Sequence, residues 1–365
     1  MDTTTQENWL RLHLTTGLGR AGIIKLIEAF GDVSTTLNHT TTSWKKEAGI
    51  TSPRIGTPPQ TDDAEFRQAL QLLHNCQMRI ISLWDKDYPT LLRTIHDPPA
   101  LLYVRGQIPK GRSIAIVGSR RGSRDAIRFA TETATTLAQH NICVISGLAR
   151  GIDSAAHTGA LAGGGTTVAV LGGGIDRIYP AENRKLFCHI PEHGALISEY
   201  PPGTSPHPGH FPARNRIISG LSEGVVVVEA AHNSGSLITA DFALEQGRDL
   251  YAVPGSIYNH NCQGNLNLLK QGATVTTCAE DILDAFHLNC QQQQDELPPP
   301  YDLSSLNEKQ KILFDLLQPT PLHLDQLAQQ SGLTAMEVSA IVLHLELEGL
   351  ASALPGGRYL RGFAG

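Results

Sequence analysis

Seven short apolar runs punctuate the middle of this chain, at residues 113–117, 142–146, 167–171, 195–198, 225–228, 250–253 and 273–276. Helical stretches such as 125–140 and 153–161 lie between them. Strands that alternate with helices form βαβ units, so the pattern predicts an α/β fold: a parallel sheet with helices on both faces. The run at 225–228 is short, β-branched and bounded by Gly224 and Glu229, as suits a strand buried on both faces. Ligands of such sheets bind at the carboxyl ends of the strands. Those ends read GSRRGSR, SGLARGID, GGGIDRIYP, SEYPPG, EAAHNSGS and PGS, nearly all rich in glycine, serine or arginine.

Two further zones flank the sheet, as a length of 365 residues leads one to expect. Residues 1–77 look helical, with Gly17-Leu18-Gly19 between two amphipathic stretches. This is either a helix-hairpin-helix unit, whose turn can hold a phosphate, or a plain helical pair. After the sheet zone, residues 78–287, the segment 288–303 carries glutamine and proline runs that cannot bury a core and reads as a linker. Residues 304–365 show helix patterns at 307–317, 324–331 and 335–348, then ALPGGRYLRG, which suits a hairpin; together they predict a winged helix.

The loops at the strand ends carry the candidate site. Gly118, Ser119, Arg120 and Arg121 follow the first run, and arginine offers a fork of donors matched to phosphate oxygens. Gly147 permits a sharp turn ahead of Arg150, with Asp153 as the cap of the next helix. Asn183, Arg184 and Lys185 open a helix, where the basic pair either meets a phosphate or decorates the surface. Phe211 precedes Arg214, Asn215 and Arg216, and Pro212 restricts Phe211 to extended shapes. Phe211 is then a stacking ring beside a phosphate clamp or a plug in the core. Ser234, Gly235 and Ser236 open a helix with free N–H groups and hydroxyls, which favours an anion.

These features point to a phosphate-bearing ligand. The net charge of −6 argues against a uniformly basic coat, but not against a local basic groove. No P-loop pattern occurs, and Gly172-Gly173-Gly174 has neither the spacing nor the place of a dinucleotide fingerprint, so no cofactor is expected. His207, His210, His232 and His260 are too irregularly spaced for a metal site, and no Ser–His–Asp set has sequence support. Six cysteines without a CxxC suit reduced thiols in a cytoplasmic protein, and no apolar run is long enough to span a membrane.

In order, DKDYPTLLRTIHDPPALLYVRG, AIVGSR, SGLARGIDSAAH, AVLGGGIDRIYPAEN, SEYPPGT, HFPARNRIISGLSEGVVVVEA, SGSLITA, EQGR, AVPG and GNLNLLKQGA resemble the DNA-processing protein A (DprA or Smf) family. The resemblance covers residues 78–287. It implies an extended Rossmann domain preceded by a sterile-alpha-motif-like helical domain and followed by a winged helix. It also implies a non-enzymatic, dimeric protein that protects single-stranded DNA during natural transformation and loads a RecA-type recombinase on it. By motif position, Arg120 would sit in the strand-binding pocket and Phe211 would touch a base. Two departures make the expected groove less basic: Ala181 stands where some relatives have lysine, and the loop SPHPGH carries histidines. Arg184 or Lys185 would compensate for the first.

Two rival readings are weaker. A phosphoribohydrolase-like nucleotide enzyme of related Rossmann type would carry P-G-G-x-G-T-x-x-E, whereas PGG occurs here only at Pro355. A duplex-DNA regulator would read DNA through the third helix of the winged helix, but residues 335–348 are acidic with few basic groups.

Overall fold

The structure is a computed structural model that describes residues 3–286, 306–317, 322–348, 350–354 and 356–361. The expected linker, 288–303, lies outside the described residues. Contacts divide the chain into two compact units, Met1–Leu283 and Asp284–Gly365.

The first unit holds a nine-stranded sheet in the order β1-β2-β6-β5-β4-β3-β7-β8-β9. The strands are β1 (Arg79–Ser82), β2 (Leu101–Gly106), β3 (Ser113–Val117), β4 (Cys143–Ser146), β5 (Thr167–Leu171), β6 (Gly194–Ser198), β7 (Gly224–Val227), β8 (Asp249–Ala252) and β9 (Thr274–Val275). The seven expected runs form β3 to β9, and all of these pair in parallel. β1 and β2 depart from the expectation: they add an antiparallel edge, with Tyr103 opposite Ser198. No crossover helix is needed between antiparallel neighbours.

One sheet face carries α7 (Arg124–Gln139), α8 (Ile152–Ala162) and α9 (Arg184–His193). The other carries the short α6 (Thr90–Arg93), α10 (His210–Gly220) and α11 (Gly235–Glu245). Alternate strand residues feed each side: Val168, Val170, Ala195 and Ile197 join Ile217 and Ile218 of α10, whereas Ala169, Leu171 and Leu196 pack with Phe187 and Ile190 of α9. The sheet order reverses between β3 and β7. Crossovers from these two strands leave in opposite directions, which opens a crevice at their carboxyl ends.

The N-terminal helices are α1 (Thr3–His13), α2 (Arg20–Phe30), α3 (Val33–Asn38), α4 (Thr41–Glu47) and α5 (Ala64–Asn75). They share a core with the sheet across the boundary read at 77/78: Leu10, Leu12, Phe66 and Leu73 cluster with Ile80, Leu101 and Tyr103. Trp9 stacks on Trp84 at 5.7 Å, and His13 Nδ1 is 2.9 Å from Tyr103 Oη. The turn between α1 and α2 is covered at Gly17, where a Cβ would stand 2.5 Å from the Arg54 carbonyl. The structure therefore favours the plain helical pair at this point.

The second unit contains helices Glu308–Leu316, Leu324–Ser331 and Ala335–Leu347. Strands Ala351–Leu354 and Arg358–Arg361 pair antiparallel, with Gly356 and Gly357 at positive φ between them. This is a winged helix around Leu313, Phe314, Leu327, Val338, Val342 and Leu345. No described helix is long and apolar enough to cross a membrane.

One buried group makes stability depend on pH. His157 of α8 is fully buried, with Nδ1 2.7 Å from Thr167 Oγ1 and Nε2 without a partner. Burial, and after it the charge of Arg214, hold its pKa down at about 3. The unfolded chain binds the proton from about 6.5 downward, while the folded chain stays neutral. The contribution is therefore complete above 6.5 and is lost as pH falls towards 3, at about 1.4 kcal/mol per pH unit. Denaturant titrations should show stability falling between about pH 6 and pH 4, and a shallower fall in His157→Gln.

Candidate nucleic-acid interface

The carboxyl ends of β3, β4, β5 and β7 meet in a crevice of about 500 Å³ at the switch point of the sheet. It is lined by Gly118, Ser119, Arg120, Phe211, Arg214, Asn215, Ser234, Gly235 and Ser236. A narrower pocket adjoins it, sharing Arg120, Tyr179, Phe211 and Arg214 and adding Gly147, Arg150 and Arg177.

Arg214 occupies the junction. It is 5 % exposed, and its Nη1 donates to Gly147 O at 2.7 Å and to Val170 O. One guanidinium thus ties the ends of β4 and β5. Burial pushes its pKa down to about 10, with Asp153 pulling the other way, so it stays charged at neutral pH. Its seat exists because residue 147 has no side chain: a Cβ there would stand 2.5 Å from Nη1.

Phe211 lies on bare Gly172, where a Cβ would meet its ring at 2.8 Å. The ring is partly exposed. The Cζ atoms of Arg120 and Arg214 stand 5.5 Å and 5.9 Å from its centroid, and Tyr179 leans against it at 5.6 Å. Phe211 is not extended, as Pro212 led one to expect. It sits in the first turn of α10, where proline is tolerated because no N–H bond is lost. Nor is it a core plug, since it belongs to neither core cluster of the sheet.

Arg120 is exposed and, among the described residues, pairs with no carboxylate. Arg150 and Arg177 are partly neutralised, by Glu182 at 2.5 Å and by Asp176 at 3.1 Å. The Arg150–Glu182 pair is exposed on both sides and weak enough to exchange for a phosphate, whereas the Asp176 carboxylate is buried and also accepts from Gly203 N at 2.8 Å. The N-terminus of α11 faces the crevice with Ser234 as its cap, and Asn215 Nδ2 donates to Gly235 O at 3.1 Å.

Other candidates lie elsewhere. Arg216 is turned away and buried, held by Glu199 at 2.6 Å and Asp97 at 3.5 Å, because the helical period puts it on a different side of α10 from Arg214. Asn183 is buried and donates to Leu148 O, Ala149 O and Ser154 Oγ, so it braces the 147–150 loop. Arg184 and Lys185 are exposed at the start of α9 and line neither crevice nor pocket. Arg121 is likewise exposed and outside both. Asp153 does not cap its helix. Gly151 holds that position, and the Asp153 carboxylate turns back to accept from Gly147 N and Ala149 N, both at 3.2 Å. Burial raises its pKa against the opposing pull of Arg214.

Sequence reasoning missed Arg177 and Tyr179. The signal was present in GGGIDRIYP, which sets an aromatic next to an arginine at a strand's carboxyl end. Among the described residues, no group of three potential ligands could hold a metal ion. The outward side of helix Ala335–Leu347 exposes Met336, Leu343 and Leu347, and the helix carries no lysine or arginine, which suits major-groove reading poorly.

A parallel sheet with an arginine-rimmed crevice at its switch point defines a binder of phosphate-bearing ligands. Residues 79–287 match the family model for DNA recombination-mediator protein A, and residues 297–357 match that of the DprA winged helix domain. The chain belongs to the DNA recombination-mediator protein A family. It is 44 % identical over 207 residues to DNA processing protein DprA of Bacillus subtilis, covering 56 % of this chain and 70 % of that one. It is 38 % identical over 315 residues to protein Smf of Synechocystis, covering 76 % and 78 %. The crystal structure of the Streptococcus pneumoniae DprA superposes with a TM-score of 0.62 at 35 % identity, covering 78 % of this chain and 98 % of that one. A structure of the Helicobacter pylori protein, solved to study its single-stranded DNA binding mode, gives 0.53 at 27 % identity, covering 58 % and 97 %.

The seat of Arg214 can be tested by volume. Gly147→Ala should lower stability by about 1–3 kcal/mol, because the guanidinium must leave its place. Gly235→Ala, where a Cβ meets nothing within 4 Å, should leave the melting temperature nearly unchanged.

Proposed function

We propose that this chain binds single-stranded DNA in the crevice and delivers it to a RecA-type recombinase. The observation that carries the reading is Arg120, unpaired and exposed, standing over the partly exposed ring of Phe211 at the switch point. A cation beside a stacking ring is what a single strand requires, since it presents a phosphate and an unpaired base at each step. The α11 N-terminus adds N–H donors for a second phosphate. Stacking tolerates every base, so little sequence preference is expected. Binding in this form needs no catalysis, and the buried carboxylates beside the strand ends, Asp153 and Glu229, are already engaged. Asp153 holds the 147–149 loop, and Glu229 accepts from Ser123 N at 3.2 Å. The hand-over to a recombinase in natural transformation, a homodimer and a cytoplasmic setting are proposed on family membership.

Fluorescence anisotropy with labelled oligothymidine and with duplex DNA tests the binding. Single strands should bind more tightly, and log affinity should fall with log salt by about 0.7 per phosphate contact. Equal affinity for duplex, or no salt dependence, overturns the reading, as does hydrolysis of nucleoside monophosphates by the purified protein. Arg120→Ala should weaken binding while leaving thermal unfolding unchanged. Phe211→Ala should cost about 1–3 kcal/mol in binding with a smaller effect on folding. Light scattering at micromolar concentration should return the mass of a dimer.

A further inference from the structure

α10 crosses its sheet face from end to end. Its first turn carries Phe211 at the carboxyl ends of the strands, and Leu221 at its far end accepts from Ser113 Oγ at 2.7 Å, at the amino end of β3. Beside that far end lies a second cavity of about 410 Å³, within the usual range of small-ligand sites. It shares no lining residue with the DNA crevice or its adjoining pocket.

The walls are of two kinds. Cys143, Ile145, Val168 and Leu221 are buried apolar groups and form the floor. Arg79, Lys86 and Lys110 stand at the rim against one carboxylate, Asp87. Among the described residues, neither Lys86 nor Lys110 enters an ion pair. Arg79 donates from Nη2 to Gln107 Oε1 at 3.1 Å, but its Nε is buried with no partner.

We propose that this cavity binds a small anion with an apolar body, an acyl or aryl carboxylate. The apolar floor takes the body, because it offers no partner to a polar head. The rim takes the carboxylate, because cations at a low-dielectric wall attract an anion more strongly than they would in open water. Arg79 adds a third positive charge to that of Lys86 and Lys110. The ligand rests against Leu221, the C-cap of the helix whose first turn lies at the DNA crevice, and both sites can be filled at once.

Titration calorimetry of the full chain with octanoate, and with 1-octanol as the neutral counterpart, tests the proposal. Octanoate should bind one per chain, and octanol roughly tenfold more weakly. Lys86→Glu combined with Lys110→Glu should reduce octanoate to the octanol level with unchanged melting, since both lysines are exposed. Val168→Phe, which fills the floor, should abolish binding. Saturating oligothymidine should leave the octanoate affinity within roughly twofold. The proposal is overturned if octanoate does not bind at millimolar concentration, if octanol binds equally well, or if charge reversal has no effect. Displacement by oligothymidine overturns it too, because the anion would then be sitting in the DNA crevice. DNA binding is measured separately, so failure of either site is distinguishable from failure of the other.

Discussion

The buried guanidinium of Arg214 is the constraint on which the candidate site depends. The parallel strands β4 and β5 end side by side, and a loop must leave each of them. Arg214 closes both ends at once, through Gly147 O and Val170 O. A buried charge is unfavourable unless hydrogen-bonded and compensated, and here the carbonyls and nearby Asp153 do both. Asp153 in turn holds the N–H groups of Gly147 and Ala149. The loop, the arginine and the carboxylate form one unit, and Phe211 is packed on top of it.

This arrangement explains how a chain of net charge −6 offers a basic groove. The sheet brings Arg120, Arg150, Arg177 and Arg214 and the N-terminus of α11 together at the strand ends. Local field governs association with a polyanion more than net charge does. The groove is also graded. Arg214 is fixed and buried, Arg120 is exposed and, among the described residues, pairs with no carboxylate, Arg150 is held in an exposed pair that a phosphate can replace, and Arg177 is held by the buried carboxylate of Asp176.

A second device ties the N-terminal helices to the same helix, α10. Asp97 accepts from Arg20 of α2 and lies 3.5 Å from Arg216 of α10, which also pairs with Glu199. Arg216, which by the family resemblance would line or brace the groove, anchors the back of α10. With the shared core of Leu10, Phe66, Ile80 and Tyr103, this makes the helical segment a support for the sheet.

The seven parallel strands, the helices between them and the winged helix were legible because each follows from a local period: β-branched runs of four or five residues, or apolar spacing near 3.6. The antiparallel edge was not, because β1 and β2 are separated by a long irregular stretch with little periodic signal. At the site, residue type was enough to find the strand-end loops, with Arg120, Phe211 and Ser234 among them. It was not enough to decide which way neighbouring side chains face. Arg214 and Arg216 are two residues apart, roughly 200° around a helix, and only the packing of α10 against the sheet decides that the first meets the crevice and the second meets Asp97 and Glu199. The seat for Arg214 required the bare backbone of Gly147, a residue 67 positions away in sequence. Local chemistry determined what could bind. The tertiary fold decided which of the candidate groups reach the ligand, because orientation depends on contacts that are remote along the chain.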